Sequence, residues 1–147
     1  MRLSWLVPIL VGVAAPAVVL GGSTTPAAAR TVCDNRPAGQ VITLSVADNG
    51  LAVCAHRGQR IEVVLQVDPD RNPAPEQWWR PVDLTGNALT ALPQTKMATR
   101  GTTLASYSAA AHGRASLTSY RSLCAPPQPG SASCMAMQSW SVTVQVR

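Results

Sequence analysis

Apolar and polar positions alternate with a period of two along much of this chain, and that pattern belongs to half-buried strands rather than to helices. The clearest case closes the sequence, where Trp140, Val142, Val144 and Val146 share one face and Ser139, Ser141, Thr143 and Gln145 the other. Residues 61–67, Ile-Glu-Val-Val-Leu-Gln-Val, are the most β-branched run and suit a central strand with one well-buried face. Weaker patterns predict strands over residues 41–46, 51–54, 78–82, 88–92, 103–109 and 114–123.

Turn chemistry separates these segments. Ala47-Asp48-Asn49-Gly50 offers asparagine and glycine where a positive φ is needed, so the chain is expected to return through residues 51–54. Arg57-Gly58-Gln59 and Thr85-Gly86-Asn87 read as further turns, and residues 103–109 and 114–123 as a hairpin around His112-Gly113. Residues 68–77 form a proline-rich loop carrying Pro69, Pro73 and Pro75. With no helical periodicity of useful length and no internal repeat, seven to eight short strands predict an all-β sandwich.

The first thirty residues obey another rule. Arg2 supplies a positive start, residues 5–20 are apolar apart from glycine and the interruptions at Pro8 and Pro16, and Ala27-Ala28-Ala29 offers the small side chains that precede a signal-peptidase cut. A spanning helix needs about 20 uninterrupted apolar residues, so the expectation is a signal peptide over residues 1–29. The remainder, residues 30–147, is expected to be a single secreted, extracellular domain with no membrane span after the signal is removed.

Export governs the cysteines. Cys33, Cys54, Cys124 and Cys134 all lie beyond the predicted cut, and an even number in an oxidising compartment reads as two disulfides. Three pairings exist; the nearest in sequence, Cys33 with Cys54 and Cys124 with Cys134, is preferred because each pair flanks a turn-rich segment. Each closure would stabilise the fold by about 3 kcal/mol on the chain-entropy estimate. A zinc site using Cys54 and His56 lacks the paired close spacing of zinc ligands. Between Cys124 and Cys134, residues 125–133 would become a clamped proline-rich loop.

The exported part keeps eleven of the twelve basic residues and all seven acidic ones, and its cations are arginines except Lys96. They are scattered, without a basic run or a stacking motif, so nucleic acid is not an expected partner. No Gly-x-Ser-x-Gly, His-Glu-x-x-His, Walker loop or dinucleotide fingerprint occurs. His56 and His112 sit in turn contexts, and Pro69 and Arg71 interrupt the oxygen-ligand spacing that Asp68 and Asp70 would need for calcium. The sequence therefore predicts neither an enzyme nor a cofactor or metal site, which leaves binding through loops. On a strand, adjacent residues face opposite ways, so one of Trp78 and Trp79 would fill the core while the other stays near the surface.

The order of features resembles the chagasin-like inhibitors of papain-type cysteine proteases, over residues 41–146. In that family three loops at one end of an immunoglobulin-like β-sandwich carry Asn-Pro-Thr-Thr-Gly-aromatic-x-Trp, a glycine-rich stretch, and Arg-Pro-Trp. Here Asn72-Pro73 is followed at the right distance by Trp79, Arg100-Gly101-Thr102-Thr103 stands at the second loop, and Ser119-Tyr120-Arg121 leads into the third. Ala74, Pro75 and Glu76 replace Thr-Thr-Gly, while Ser122 and Leu123 replace the proline and tryptophan after Arg121. The resemblance implies a secreted protein that inhibits a papain-like cysteine protease by loop occlusion, with Asn72, Pro73, Trp78, Arg100, Gly101, Tyr120 and Arg121 meeting the partner and Trp79 structural. Tyr120 reads equally as a core residue. The alternative is a cell-envelope or matrix module, structural or adhesive, with no protease target. Convergence of the loops would also gather Arg71, Arg100 and Arg121 into a basic tip suited to an acidic protein or an anionic envelope polymer.

Overall fold

The computed structural model describes residues 31–33, 39–68, 73–94, 98–124 and 136–147. The expected signal peptide and the clamped loop at 125–133 lie outside the described residues. Nine strands are described: β1 (Thr31–Val32), β2 (Ile42–Ser45), β3 (Ala52–Ala55), β4 (Arg60–Gln66), β5 (Asp83–Thr85), β6 (Leu89–Leu92), β7 (Thr102–Ala109), β8 (Gly113–Ser122) and β9 (Met137–Val146). They form a five-stranded sheet in the order β1-β3-β9-β8-β5 and a four-stranded sheet in the order β2-β4-β7-β6. The all-β sandwich expected from the alternation is the observed architecture.

Alternation places the core. Ile61, Val63 and Leu65 of β4 and Val142, Val144 and Val146 of β9 turn inward from opposite sheets and are buried, as are Ala115 and Leu117 of β8. Trp140, also buried, donates its indole N–H to the Ser45 carbonyl at 2.8 Å, which satisfies the one polar atom of a large side chain and ties β9 to β2 across the sandwich.

The connections depart from the expected hairpins. β2 lies parallel to β4 while β3 lies parallel to β9, so the turn after residue 45 carries the chain from one sheet to the other. In the same way β7 pairs with β4 and β6, whereas β8 pairs with β5 and β9. Residues 103–109 and 114–123 are therefore not a hairpin: the turn at residues 110–112 crosses between sheets. Period-two alternation fixes which face of a strand is buried, and facing strands of two stacked sheets bury theirs as well as two neighbours in one sheet do.

Two local expectations also change. Val46–Asp48 is a turn of 3-10 helix capped by Ser45, whose N–H and hydroxyl both reach Asp48 Oδ2 at 2.7 and 2.9 Å. Only Gly50 there takes a positive φ, 78°. Asn49 has φ −55° and works through its side chain, accepting the Ser141 N–H at 2.8 Å and donating to the Ser139 carbonyl at 3.3 Å. Residues 78–82 are not a strand; the pairing starts later, at Asp83. Pro81 has no N–H to give a ladder, and the carbonyls of Trp79 and Arg80 are taken by the hydroxyls of Thr103 and Ser119, each at 2.7 Å.

Candidate functional site: the loop end

Strands β4, β6 and β8 end, and β5, β7 and β9 begin, at one pole of the sandwich, so the three connections 67–82, 93–101 and 123–136 emerge there together. Backbone and side-chain bonds join their described parts. The Val67 N–H donates to the Gly101 carbonyl at 2.9 Å, which holds the start of the first connection against the end of the second. Thr103 donates its hydroxyl to the Trp79 carbonyl, and Gln77 Nε2 donates to the Leu123 carbonyl at 3.3 Å, linking the first connection to the third.

Within the first connection, Pro75–Gln77 forms a 3-10 turn. Proline at its start suits the fixed φ and the missing donor, and the Gln77 side chain reaches back to accept the Ala74 N–H at 3.0 Å. Trp78 ends this turn, half-buried, and its indole N–H donates to the Pro73 carbonyl at 3.3 Å. Trp79 is only 4% exposed and belongs to the core. The expected division between the two tryptophans holds only in degree, since Trp78 is half-buried and packs against the same core, and the segment is not a strand.

In the second connection Arg100 is exposed, and Gly101 is buried with φ 76°, a conformation that favours glycine. Thr102 donates its N–H to the Thr99 carbonyl at 3.0 Å, closing the turn between them. Beside this connection a hollow of about 540 Å³ opens between residues 81–82 and β7, with Pro81, Val82, Leu92, Ala98 and Leu104 among its walls.

Leading into the third connection, Tyr120 stands on the outer face of the five-stranded sheet, 46% exposed, so it is not a core residue. Leu123 and Met137 are exposed at the same end, 48% and 61%. Ser122 pairs with Met137 and Tyr120 with Ser139, which puts Tyr120 diagonal to Met137 on one face and makes a small apolar patch at the mouth of the connection.

Arg121 behaves otherwise. Its guanidinium lies over the Trp79 ring and its Nε donates to Gln138 Oε1 at 2.7 Å. The expected basic tip is therefore not formed by the described residues. Arg121 is half-buried against a core aromatic, Arg100 is exposed, and Arg71 lies outside the described residues, as does Asn72. Gln77, which ties the first connection to the third, Thr103, which ties it to β7, and Gln138, which holds Arg121 across β8 and β9, were not among the residues expected at the site. For Gln77 a signal was present, because a glutamine three residues after the start of a turn is half of a capping box.

Cys33 and Cys54 are joined in a disulfide, as expected, which also removes Cys54 from any zinc site. Cys124 is disulfide-bonded too, and Cys134 lies outside the described residues. No cluster of metal-ligating side chains occurs among the described residues, and none of their helices is long and apolar enough to cross a membrane.

No family model matches the chain, and no curated protein matches it. Among solved structures it is similar to the cysteine protease inhibitor EhICP2 from Entamoeba histolytica, with a TM-score of 0.52 at 12% identity over 76% of this chain and 100% of that one. Amebosin, known from a solution structure, aligns with a TM-score of 0.43 at 13% identity over 74% of this chain and 100% of its own. The first likeness is one of fold, and it agrees with the chagasin-like sandwich that the spacing of loops and strands implied.

Proposed function

We propose that this chain is an exported binding protein that acts as an inhibitor of a papain-like cysteine protease, laying its loop end across the partner's cleft. The observation that carries the reading is the convergence of three connections at one pole, cross-tied by the Val67–Gly101, Gln77–Leu123 and Thr103–Trp79 hydrogen bonds. Loops fixed before they meet a partner lose little freedom on binding, which saves about 0.5 to 1.5 kcal/mol per immobilised side chain. The likeness in fold to a cysteine protease inhibitor supports the same reading.

Occlusion needs no reactive group. Rigid backbone fills a cleft and offers no scissile bond in the right geometry, so the residues that matter are those that shape and present the tips. Pro73, Trp78 and Gly101 would set the shape. Asn72, Arg100 and Tyr120 would meet the partner, and Arg121 would hold the third loop from beneath.

Titration of papain with residues 30–147 tests this. Inhibition with a dissociation constant of about a micromolar or tighter, weakened about tenfold by Tyr120→Ala in a variant that still folds, is the expected result. Papain left fully active by an excess of folded protein would remove the inhibitor reading and leave a structural or adhesive module of the cell envelope.

A further inference from the structure

A second site lies at the other end of the molecule. The outer face of the five-stranded sheet carries a hollow of about 480 Å³ crossing β1, β3, β9 and β8, lined by Thr31, Ala52, Cys54, Thr143, Gln145 and the two arginines Arg114 and Arg147. Strand register builds it. Thr31 pairs with Ala52 and Ala52 with Thr143 in one row, and Cys54 pairs with Gln145 and Gln145 with Arg114 in the next. Because Val53, Val144 and Ala115 between these positions point into the core, the lining residues face outward together.

The two charged side chains in the described lining, Arg114 and Arg147, are both cations, and among the described residues no acidic side chain lines the hollow or pairs with either. Both guanidinium groups are nonetheless held. Arg114 Nε donates to Gln145 Oε1 at 3.4 Å, and Gln145 Nε2 donates to the Gly113 carbonyl at 3.1 Å, so the glutamine works as a strut behind the arginine. Arg147 Nη2 lies 3.3 Å from Cys33 Sγ, against the disulfide that fastens β1 to β3. The Arg147 backbone oxygen accepts the Arg57 N–H at 3.4 Å.

Two guanidinium groups held in place, with Thr31 and Thr143 in the same lining, offer the donors that an oxyanion needs. Arginine's planar fork matches carboxylate and phosphate oxygens in paired bonds, and such charge-assisted bonds are about twice as strong as neutral ones. The volume exceeds that of an isolated anion and falls within the roughly 300 to 1,000 Å³ of small-molecule sites. We propose that this hollow binds the carboxylate or phosphate of a sugar-sized polar ligand, with Arg114 and Arg147 on the oxyanion and Thr31 and Thr143 on the hydroxyls. The site is independent of the loop end and of protease inhibition: Arg114 and Arg147 lie where β8 begins and β9 ends, and the loops emerge where β8 ends and β9 begins.

Amide chemical-shift titration of residues 30–147 at low salt, with glucuronate, mannose phosphate and glucose as probes, tests the assignment. Saturable shifts at Cys54, Thr143 and Gln145 with one or both anionic sugars and none with glucose are expected, and the anion that binds more tightly identifies the oxyanion. Arg114→Gln and Arg147→Gln should each weaken binding by about tenfold, with thermal midpoints close to the parent because neither residue is buried. Arg57→Gln, outside the hollow, should change binding by less than about twofold. Absence of saturable shifts with either anion, shifts equal for glucose, or an Arg57→Gln loss as large as that of Arg114→Gln would each overturn the proposal.

Discussion

The guanidinium carbon of Arg121 lies 5.3 Å from the centre of the Trp79 ring. That contact joins the last residues of β8 to the connection leading into β5, and it turns a charge that the sequence offered to the surface into a brace beneath the loops. A cation this close to an indole face gains about 0.5 to 2 kcal/mol. The bond to Gln138 holds the same side chain from β9. Arg121→Ala is therefore expected to lower stability by about 1 to 2 kcal/mol and Arg121→Lys to recover part of it, since lysine keeps the charge and loses the planar fork. Urea unfolding followed by tryptophan fluorescence measures both, and an unchanged midpoint for the alanine variant would sink this reading.

Two glycines with positive φ should respond very differently to alanine. At Gly86, φ is 100° and an added Cβ would stand 2.7 Å from the Arg114 carbonyl oxygen, a backbone atom that cannot rotate away. At Gly50, φ is 78° and the same Cβ meets nothing within 4 Å. Gly86→Ala is expected to cost about 3 kcal/mol or more, and Gly50→Ala about 1 kcal/mol. Thermal denaturation of the pair would expose an error if Gly50→Ala proved the more damaging.

Burial raises the pKa of Tyr107 above its ordinary value of 10.0, and the nearby Asp83 carboxylate pushes it the same way. The hydroxyl donates to the Val82 carbonyl at 3.2 Å, a bond that ionisation would abolish. The folded protein thus holds this proton more tightly than the unfolded chain does. Its contribution to stability is fully present below the ordinary value and is lost as pH rises through the folded one. Stability measured by urea unfolding at successive alkaline pH values should fall as pH rises from the ordinary value of 10.0 toward the raised one, and the Tyr107→Phe variant should lack this part of the fall.

Leu123, which the resemblance to chagasin-like inhibitors sets where they carry the tryptophan of their third loop, is exposed. Aromatic anchors dominate binding energy at interfaces, so Leu123→Trp should tighten papain inhibition by about tenfold if the loop end is the contact surface. Competition assays against a fluorogenic papain substrate would measure it. A variant that folds and inhibits no better than the parent would argue that the third loop stays clear of the protease.

Much of the fold was legible in the residues. The inward set of β9 and the buried face of β4 come from alternation and side-chain size, because burial of apolar surface is the main stabilisation open to a short strand. The pairing of Cys33 with Cys54 came from their proximity in the sequence. The loop end was legible in outline, and its internal bonds were not. Nothing in the spacing of Thr103 or Gln138 tells which carbonyl or guanidinium will stand within hydrogen-bond reach.

By itself the sequence determined most of the strands and which face of each is dry, though it placed one at residues 78–82 and offered neither β1 nor β5. Both are properties of one segment and its period. Only the tertiary structure decided that β7 and β8 lie in different sheets, that Arg121 folds back onto Trp79 and that Arg114 and Arg147 share a hollow. Each of these depends on pairing between segments distant in the chain, and a period-two pattern is satisfied equally by a neighbour in the same sheet or a partner across the core.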